Sequence, residues 1–472
     1  MSADPLLDLG WYDPTGRRIS GSGEQHSGQV RMAYRLARSH VDKLLHVRGL
    51  GWHYWDGKRW KSDGTTVEDA VHARHAVLDI LREALTESFV GDKRLRADVS
   101  KCESHAGIKG VLGVASALVE FAATVHDVDA DPFLLNCANG TLDLRDRQLR
   151  AHNPADRLTK VTTGAYEPDA DPAVWTQFLA SVIPDEAERD YLRRVFGQCI
   201  YGRVREHLFP VLRGEGANGK GTTYNAVTHA LGDYATIINP EILMVRDHGG
   251  SAGGPELMAL IGVRLVIGSE TGDGRKLDEA TMKRLTGGDE LTARNLYSSP
   301  VTWLPSHQLV YVTNKLPKVR GNDPAAWRRI RVVPFDVVIP TSDWDLSLGE
   351  RLTLHADAIL SWVIAGHFDH EDNGGMREPP SVLVATTAYQ SESDAVSRFV
   401  VDACIVSTSS SARTRELFSA WQKWSISDGA EVISEKAFGN ELDRLGYTAK
   451  KTKHGAVRAG LTPLNADSES LL

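Results

Sequence analysis

The residues best suited to chemistry lie in Gly214-Glu-Gly-Ala-Asn-Gly219-Lys220-Gly221-Thr222. Only Arg213 separates them from the apolar run Leu208-Phe-Pro-Val-Leu212. Glycines let successive backbone N–H groups turn inward around an anion. A helix starting near Lys220 would aim its positive end at the same anion, and the Lys220 ammonium would reach the outer phosphates of a nucleotide. Strand, glycine loop, lysine and helix in this order predict a phosphate site formed by Gly214, Gly216, Asn218, Gly219, Lys220, Gly221, Thr222 and Thr223. Gly221 stands where a hydroxyl usually holds Mg2+. That hydroxyl must come from Thr222 or Thr223, or be replaced by water.

Such a loop needs a second acid, and Arg264-Leu-Val-Ile-Gly-Ser-Glu270 is an apolar strand ending in one. Glu270 could polarise an attacking water or, with Thr222, help hold Mg2+. Asn314 closes a third apolar run, Leu309–Thr313, at the strand end where open α/β sheets bind ligands. Its amide could position the water; the alternative is an ordinary turn before Pro317. Further on, Ala326-Trp-Arg328-Arg329-Ile-Arg331 carries three arginines in four residues. They read either as a solvated face or as the source of a cation reaching a neighbouring subunit's phosphate.

The elements that must position these residues follow from the wider pattern. The 472 residues suggest about three domains. Hydrophobic residues at 42% and charged residues at 25% are ordinary for a soluble globular chain. The formal charge of −8 excludes a wholly basic nucleic-acid coat but not local basic patches. Four scattered cysteines without CxxC spacing argue against a zinc ribbon or a disulfide framework. Neither a membrane span nor a secretory leader is expected. Residues 1–28 are expected to be a flexible N-terminus. Residues 29–160 read as a mainly helical domain interrupted by Gly51–Trp60, an aromatic hairpin. Its tryptophans are expected to pack a small sheet, with base stacking as the alternative. Asp127, Asp129 and Asp131 are expected in a polar loop rather than at a metal. Apolar runs at Leu208–Leu212, Val263–Ile267, Leu309–Thr313 and Ile330–Pro334 predict the strands of an α/β sheet within residues 161–345. Residues 346–410 read as helical. In residues 411–472, Leu417, Phe418, Trp421 and Trp424 share one helical face. A second helix is expected after Ser434, then a basic hairpin turning at His454-Gly455. Lys450, Lys451, Lys453 and Arg458 of that hairpin suggest phosphate contacts to DNA.

Taken together, Gly214–Thr222, Ser269-Glu270, Lys283-Arg-Leu-Thr-Gly-Gly-Asp-Glu-Leu-Thr-Ala-Arg294, Thr313-Asn314 and Trp327–Phe335 resemble a superfamily 3 helicase. The resemblance is to the phage, plasmid and poxvirus primase-associated type, and it extends upstream through Trp52–Trp60 and Leu135–Asp143. It implies an AAA+-like P-loop ATPase core with a parallel sheet, using ATP and Mg2+ and forming a homo-oligomeric, usually hexameric, ring around DNA. Lys220 and Thr222 would then belong to the first motif, Glu270 to the second and Asn314 to the sensor. Arg329 is the first choice for an arginine finger, with Arg328 and Arg331 open. Lys283, Arg284 and Arg294 would face single-stranded DNA or the nucleotide interface.

The tail reads as a winged-helix-like unit on duplex DNA. The expected function is a replicative DNA helicase of a phage or plasmid-like element, without its own primase domain, in the cytoplasm of a bacterial host. A separate primase or polymerase is an implied partner. The alternatives are a P-loop nucleotide kinase and an ATP-dependent initiator that does not unwind.

Overall fold

The computed structural model describes residues 26–245, 254–269, 275–296, 298–319, 323–430, 433–453 and 455–464, with the backbone of two short strands, Trp11–Tyr12 and Arg18–Ile19. At its centre lie five parallel strands: β1 (Phe209–Arg213), β2 (Ala235–Ile238), β3 (Leu265–Ser269), β4 (Gln308–Thr313) and β5 (Ile330–Pro334). Their spatial order is β2-β3-β4-β1-β5. Val211 pairs with Tyr311 on one side and Val332 on the other, and Ile267 lies between Ile237 and Val310. Because successive strand residues point to opposite faces, Val211 enters one core and Leu212 the other. Burial on both faces is why these strands read as continuous apolar runs rather than alternating ones.

The apolar runs anticipated four of the five strands. β2, with the sequence Ala-Thr-Ile-Ile, lies at the sheet edge, where Ile237 is half exposed, and its short mixed pattern gave no strand signal. On one face pack the helices Ala173–Val182, Glu186–Gly197, α1 (Lys220–Leu231) and Ala356–Asn373. Asp185 starts the second of these by accepting from the N–H groups of Ala187 and Glu188, at 2.7 and 3.1 Å. On the other face pack Glu279–Leu285, Pro324–Trp327 and an antiparallel hairpin, Leu291–Ala293 with Val301–Trp303. Helix α2 (Pro380–Ser393) runs along β5, where the Val332 N–H donates to Thr386 Oγ1 at 3.0 Å.

The structure moves two expected boundaries. Leu135, Cys137 and Leu142, placed with the N-terminal domain by sequence, share the core of the central sheet. Buried Arg264, at the start of β3, donates to the carbonyls of Leu134 and Ile200, and this joins that region to the sheet. The N-terminal unit proper closes around a separate core running from Met32 to Phe121. At the other end, the helix Ala395–Ala403 and the strand Cys404–Arg413 share a core with Trp421, Phe438 and Leu461. The tail unit therefore begins near residue 395, not 411. Its three strands pair in the order 404–413, 455–463, 449–452.

Trp52 and Trp60 are buried, the first against Phe121 and His46 and the second donating to the Pro154 carbonyl at 2.8 Å. They pack the small sheet and do not offer faces to bases. Asp127, Asp129 and Asp131 are occupied by Thr124, Thr159 and Arg145. No group of metal-ligating side chains occurs among the described residues. No helix among them is long and apolar enough to cross a membrane.

Candidate functional site

The glycine loop leaves the carboxyl end of β1 and enters α1 directly. Gly216, Ala217 and Gly219 all take positive φ, at 103°, 49° and 80°. A Cβ on Gly219 would stand 2.6 Å from Val182 Cγ1, so position and conformation both require glycine there. Inside the turn lies Lys220, 5% exposed. Its Nζ donates to the Gly214 carbonyl at 2.7 Å, to Asn218 Oδ1 at 2.9 Å and to Asn314 Oδ1 at 3.2 Å. Asn314 follows β4, the strand adjacent to β1. The parallel sheet thus brings together the lysine and the amide, 94 residues apart in the chain.

Two of the expected phosphate-loop residues turn inward. Asn218 is buried and its Nδ2 donates to the Phe335 carbonyl at 3.0 Å, so it braces the loop from within. Thr223 is fully buried and returns its hydroxyl to the Gly219 carbonyl at 2.9 Å. Thr222 is half-buried at the same turn. Glu270 lies outside the described residues, one position beyond the end of β3.

The arginine segment sits at the other end of the sheet. Ile330 pairs with Phe209 and Pro334 with Arg213, so the segment preceding β5 is a full strand length from the loop, roughly 16 Å at about 3.3 Å per residue. Arg329 is 7% exposed and donates to the Ala325 carbonyl at 2.7 Å. Burial, and then the neighbouring Arg328, pull its pKa below the ordinary arginine value. Arg328 is exposed, and Arg331 is paired with Glu378. Exposure therefore moves the preference for an outward-reaching cation from Arg329 to Arg328.

The residues expected to meet DNA divide in the same way. Lys283 forms an ion pair with Asp323, whose other oxygen accepts from the Ala325 N–H at 2.8 Å and caps the helix leading to the arginines. The Lys283 ammonium holds the Asp323 carboxyl below its usual range. Sequence reasoning missed Asp323, although Asp-Pro ahead of Ala-Ala-Trp is a helix-start signature. Arg284 and Arg294 are exposed, the latter at the outer end of the hairpin strand Leu291–Ala293, near Leu296, which is 77% exposed. In the tail, Lys450, Lys451 and Lys453 are exposed, and His454 lies outside the described residues.

Arg458 is not available to phosphate. It is 3% exposed and donates to Asp443 at 2.6 Å, to the Gly439 carbonyl at 2.8 Å, to Thr414 Oγ1 at 3.2 Å and to the Tyr447 carbonyl. Arg458→Ala is expected to destabilise the tail by about 2–3 kcal/mol, because one buried and three partly buried acceptors lose their donor. Replacing Lys450, Lys451 and Lys453 together should leave stability within about 0.5 kcal/mol. The same change should lower the salt slope of duplex binding by about 0.9 for each phosphate that is no longer neutralised. Thermal melts and salt titrations of DNA binding on both variants check the division.

Residues 33–184 match the family described as D5 N terminal like. The chain is 28% identical over 299 residues to a protein of Acanthamoeba polyphaga mimivirus named "Putative helicase", across 59% of this chain and 31% of that protein. It is 24% identical over 503 residues to a protein of the same name in Frog virus 3, across 89% of this chain and 52% of that one. A "Putative primase" of African swine fever virus is 23% identical over 358 residues, across 70% and 37% of the two chains. The chain thus spans about a third to a half of the length of these relatives. Among solved structures, the apo C-terminal region of NrS-1 is similar at a TM-score of 0.41 and 12% identity, across 66% of this chain and 86% of that one. A D5 N-terminal-like segment thus leads into the sheet, and the chain is similar in sequence to these viral proteins named as putative helicases and primases.

Proposed function

We propose that the chain is an ATP-driven replicative DNA helicase whose AAA+-like core works as a ring, usually of six copies. The observation that carries this reading is the meeting of Lys220 with the loop oxygens and Asn314 at the carboxyl end of β1 and β4. On this reading the Lys220 ammonium exchanges the Gly214 and Asn218 oxygens for the phosphates of ATP, and the N-terminus of α1 faces the same charge. Asn314 then orients the water that attacks the terminal phosphate. Mg2+ would be held by Thr222, with Glu270 as the second group, and would neutralise charge on the phosphates. The arginine segment is a strand length from its own loop, which supports a role for Arg328 at a neighbour's site. That division is the reason for proposing a ring.

Single-stranded DNA would meet Arg294 and Arg284, and duplex DNA the tail lysines in a winged-helix-like unit. A separate primase or polymerase, and the setting of a phage or plasmid-like element in a bacterial cytoplasm, belong to the same proposal.

The test is DNA-stimulated ATP hydrolysis together with strand separation on a forked substrate, both expected of the purified chain. Phosphate transfer to a nucleoside monophosphate would make it a kinase instead. Hydrolysis without strand separation would make it an initiator. Arg294→Ala is expected to lower the salt slope of single-strand binding by about 0.7 and to reduce unwinding more than basal hydrolysis. Lys283→Ala is expected to lower the melting temperature instead, because it leaves Asp323 without its ammonium partner. An unchanged salt slope for Arg294→Ala would remove the hairpin from the DNA path.

A further inference from the structure

Helix α2 places one side chain between the two parts of the proposed ATPase machinery. Tyr389 is 4% exposed. Its hydroxyl donates to the carbonyl of Pro317, in the turn that begins at Asn314. The edge of its ring packs on Trp327, with centroids 5.2 Å apart and planes at 75°. Trp327 ends the short helix that leads straight into Arg328 and Arg329.

We propose that Tyr389 is a positioning residue that sets the Asn314–Pro317 turn and the Trp327–Arg329 segment relative to each other, an inference that rests on the ATPase reading. The far end of the turn is already fixed, because the Lys318 N–H donates to the Arg275 carbonyl and the Leu277 N–H to the Lys318 carbonyl, both at 2.9 Å. Its near end is fixed by β4. Tyr389 adds a bond at Pro317, next to the fixed far end, and so ties it to helix α2. Burial raises the phenol far above its ordinary pKa, so the hydroxyl remains a donor at working pH.

The same helix is tied to β5 through Thr386 and leads into the tail unit, where Asp394 caps the following helix by accepting from the Ser397 N–H at 3.0 Å. A cavity of about 710 Å³, lined by Pro317, Tyr389, Asp394, Trp421 and Ile433 among others, opens between the turn and the tail. Helix α2 thus spans from the turn to the tail along one side of this space. A change of tail position on DNA would reach both Asn314 and the arginines through this one ring.

The direct test is Tyr389→Phe, which keeps the ring against Trp327 and removes only the donated proton. The expected result is a fall of roughly ten- to a hundred-fold in kcat for DNA-stimulated hydrolysis, the size of effect that a small misplacement of reacting groups produces. The KM for ATP and the affinity for a fluorescent ATP analogue should stay within about two-fold. Hydrogen exchange should rise in residues 314–319 and 325–329 and stay level elsewhere. A variant with a lowered melting temperature, uniformly raised exchange and unchanged kcat per folded molecule would overturn the proposal, leaving Tyr389 a packing residue. A wild-type chain that neither binds nor hydrolyses ATP would overturn the ATPase reading, a different outcome.

Should Tyr389→Phe fail to fold, Thr386→Val loosens α2 from β5 while keeping the phenol. A smaller loss of kcat with ATP affinity preserved supports the strut; unchanged kcat refutes it.

Discussion

Lys220→Ala is expected to abolish ATP hydrolysis, on the order of 10³-fold or more, because the only cation inside the loop turn among the described residues is lost where charge develops. The variant should still fold, since the central strands bury their side chains independently of the loop. It should not be neutral to stability. The Gly214 carbonyl and the Asn218 amide oxygen lose a buried donor, costing about 1–3 kcal/mol if no water replaces it. Single-turnover phosphate release, a thermal melt and DNA binding measured on the same preparation separate these effects. Near-wild-type turnover would remove the phosphate-site assignment. Complete unfolding would show that the lysine is chiefly an internal strut of the loop.

Arg328→Ala is expected to cost ~10³–10⁵ in kcat, the range for a finger supplied to a neighbour's phosphate, with little change in melting temperature because the side chain is exposed. Mixing this variant with Lys220→Ala should restore activity that neither has alone. With equal amounts and random assembly of a closed ring, about a quarter of the sites combine an intact lysine with a neighbour's intact arginine. Arg329→Ala should behave differently. Its guanidinium is buried and donates to Ala325 within its own chain, so the main loss should be stability. If Arg329→Ala instead keeps its melting temperature and complements Lys220→Ala, Arg329 is the finger. If mixed rings form and neither arginine complements, the cation comes from elsewhere or acts within its own subunit.

The parts of this chain that were readable in sequence are those whose physics is local. Tyr191, Leu192, Val195, Phe196, Cys199 and Ile200 recur at helical spacing after the capping Asp185, and all six are fully buried. The strands β1, β3, β4 and β5 announced themselves as apolar runs because both of their faces are covered. The tail's aromatic helix face was legible for the same reason, since Leu417 and Trp421 repeat at helical spacing and enter the core together. β2 was not legible, because a four-residue edge strand needs little apolar content. Nor was the start of the tail unit: Ala395–Ala403 continues the helical pattern of α2 after a break at Asp394, and only its packing on Trp421 assigns it to the other core.

The sequence by itself determined the strand–loop–lysine–helix unit, because residue type and order suffice to make the glycine turn, and it named Asn314, which the parallel sheet brings to Lys220. The tertiary structure alone decided which long cations are available. Lys283 met Asp323, 40 residues away. Arg458 was buried among Thr414, Gly439 and Asp443, and Arg329 was covered while Arg328 stayed exposed. A charge run in sequence carries no record of what lies across the fold. Whether a guanidinium is free for phosphate or spent on a carbonyl depends on that opposing surface, since a buried cation must find acceptors within the protein.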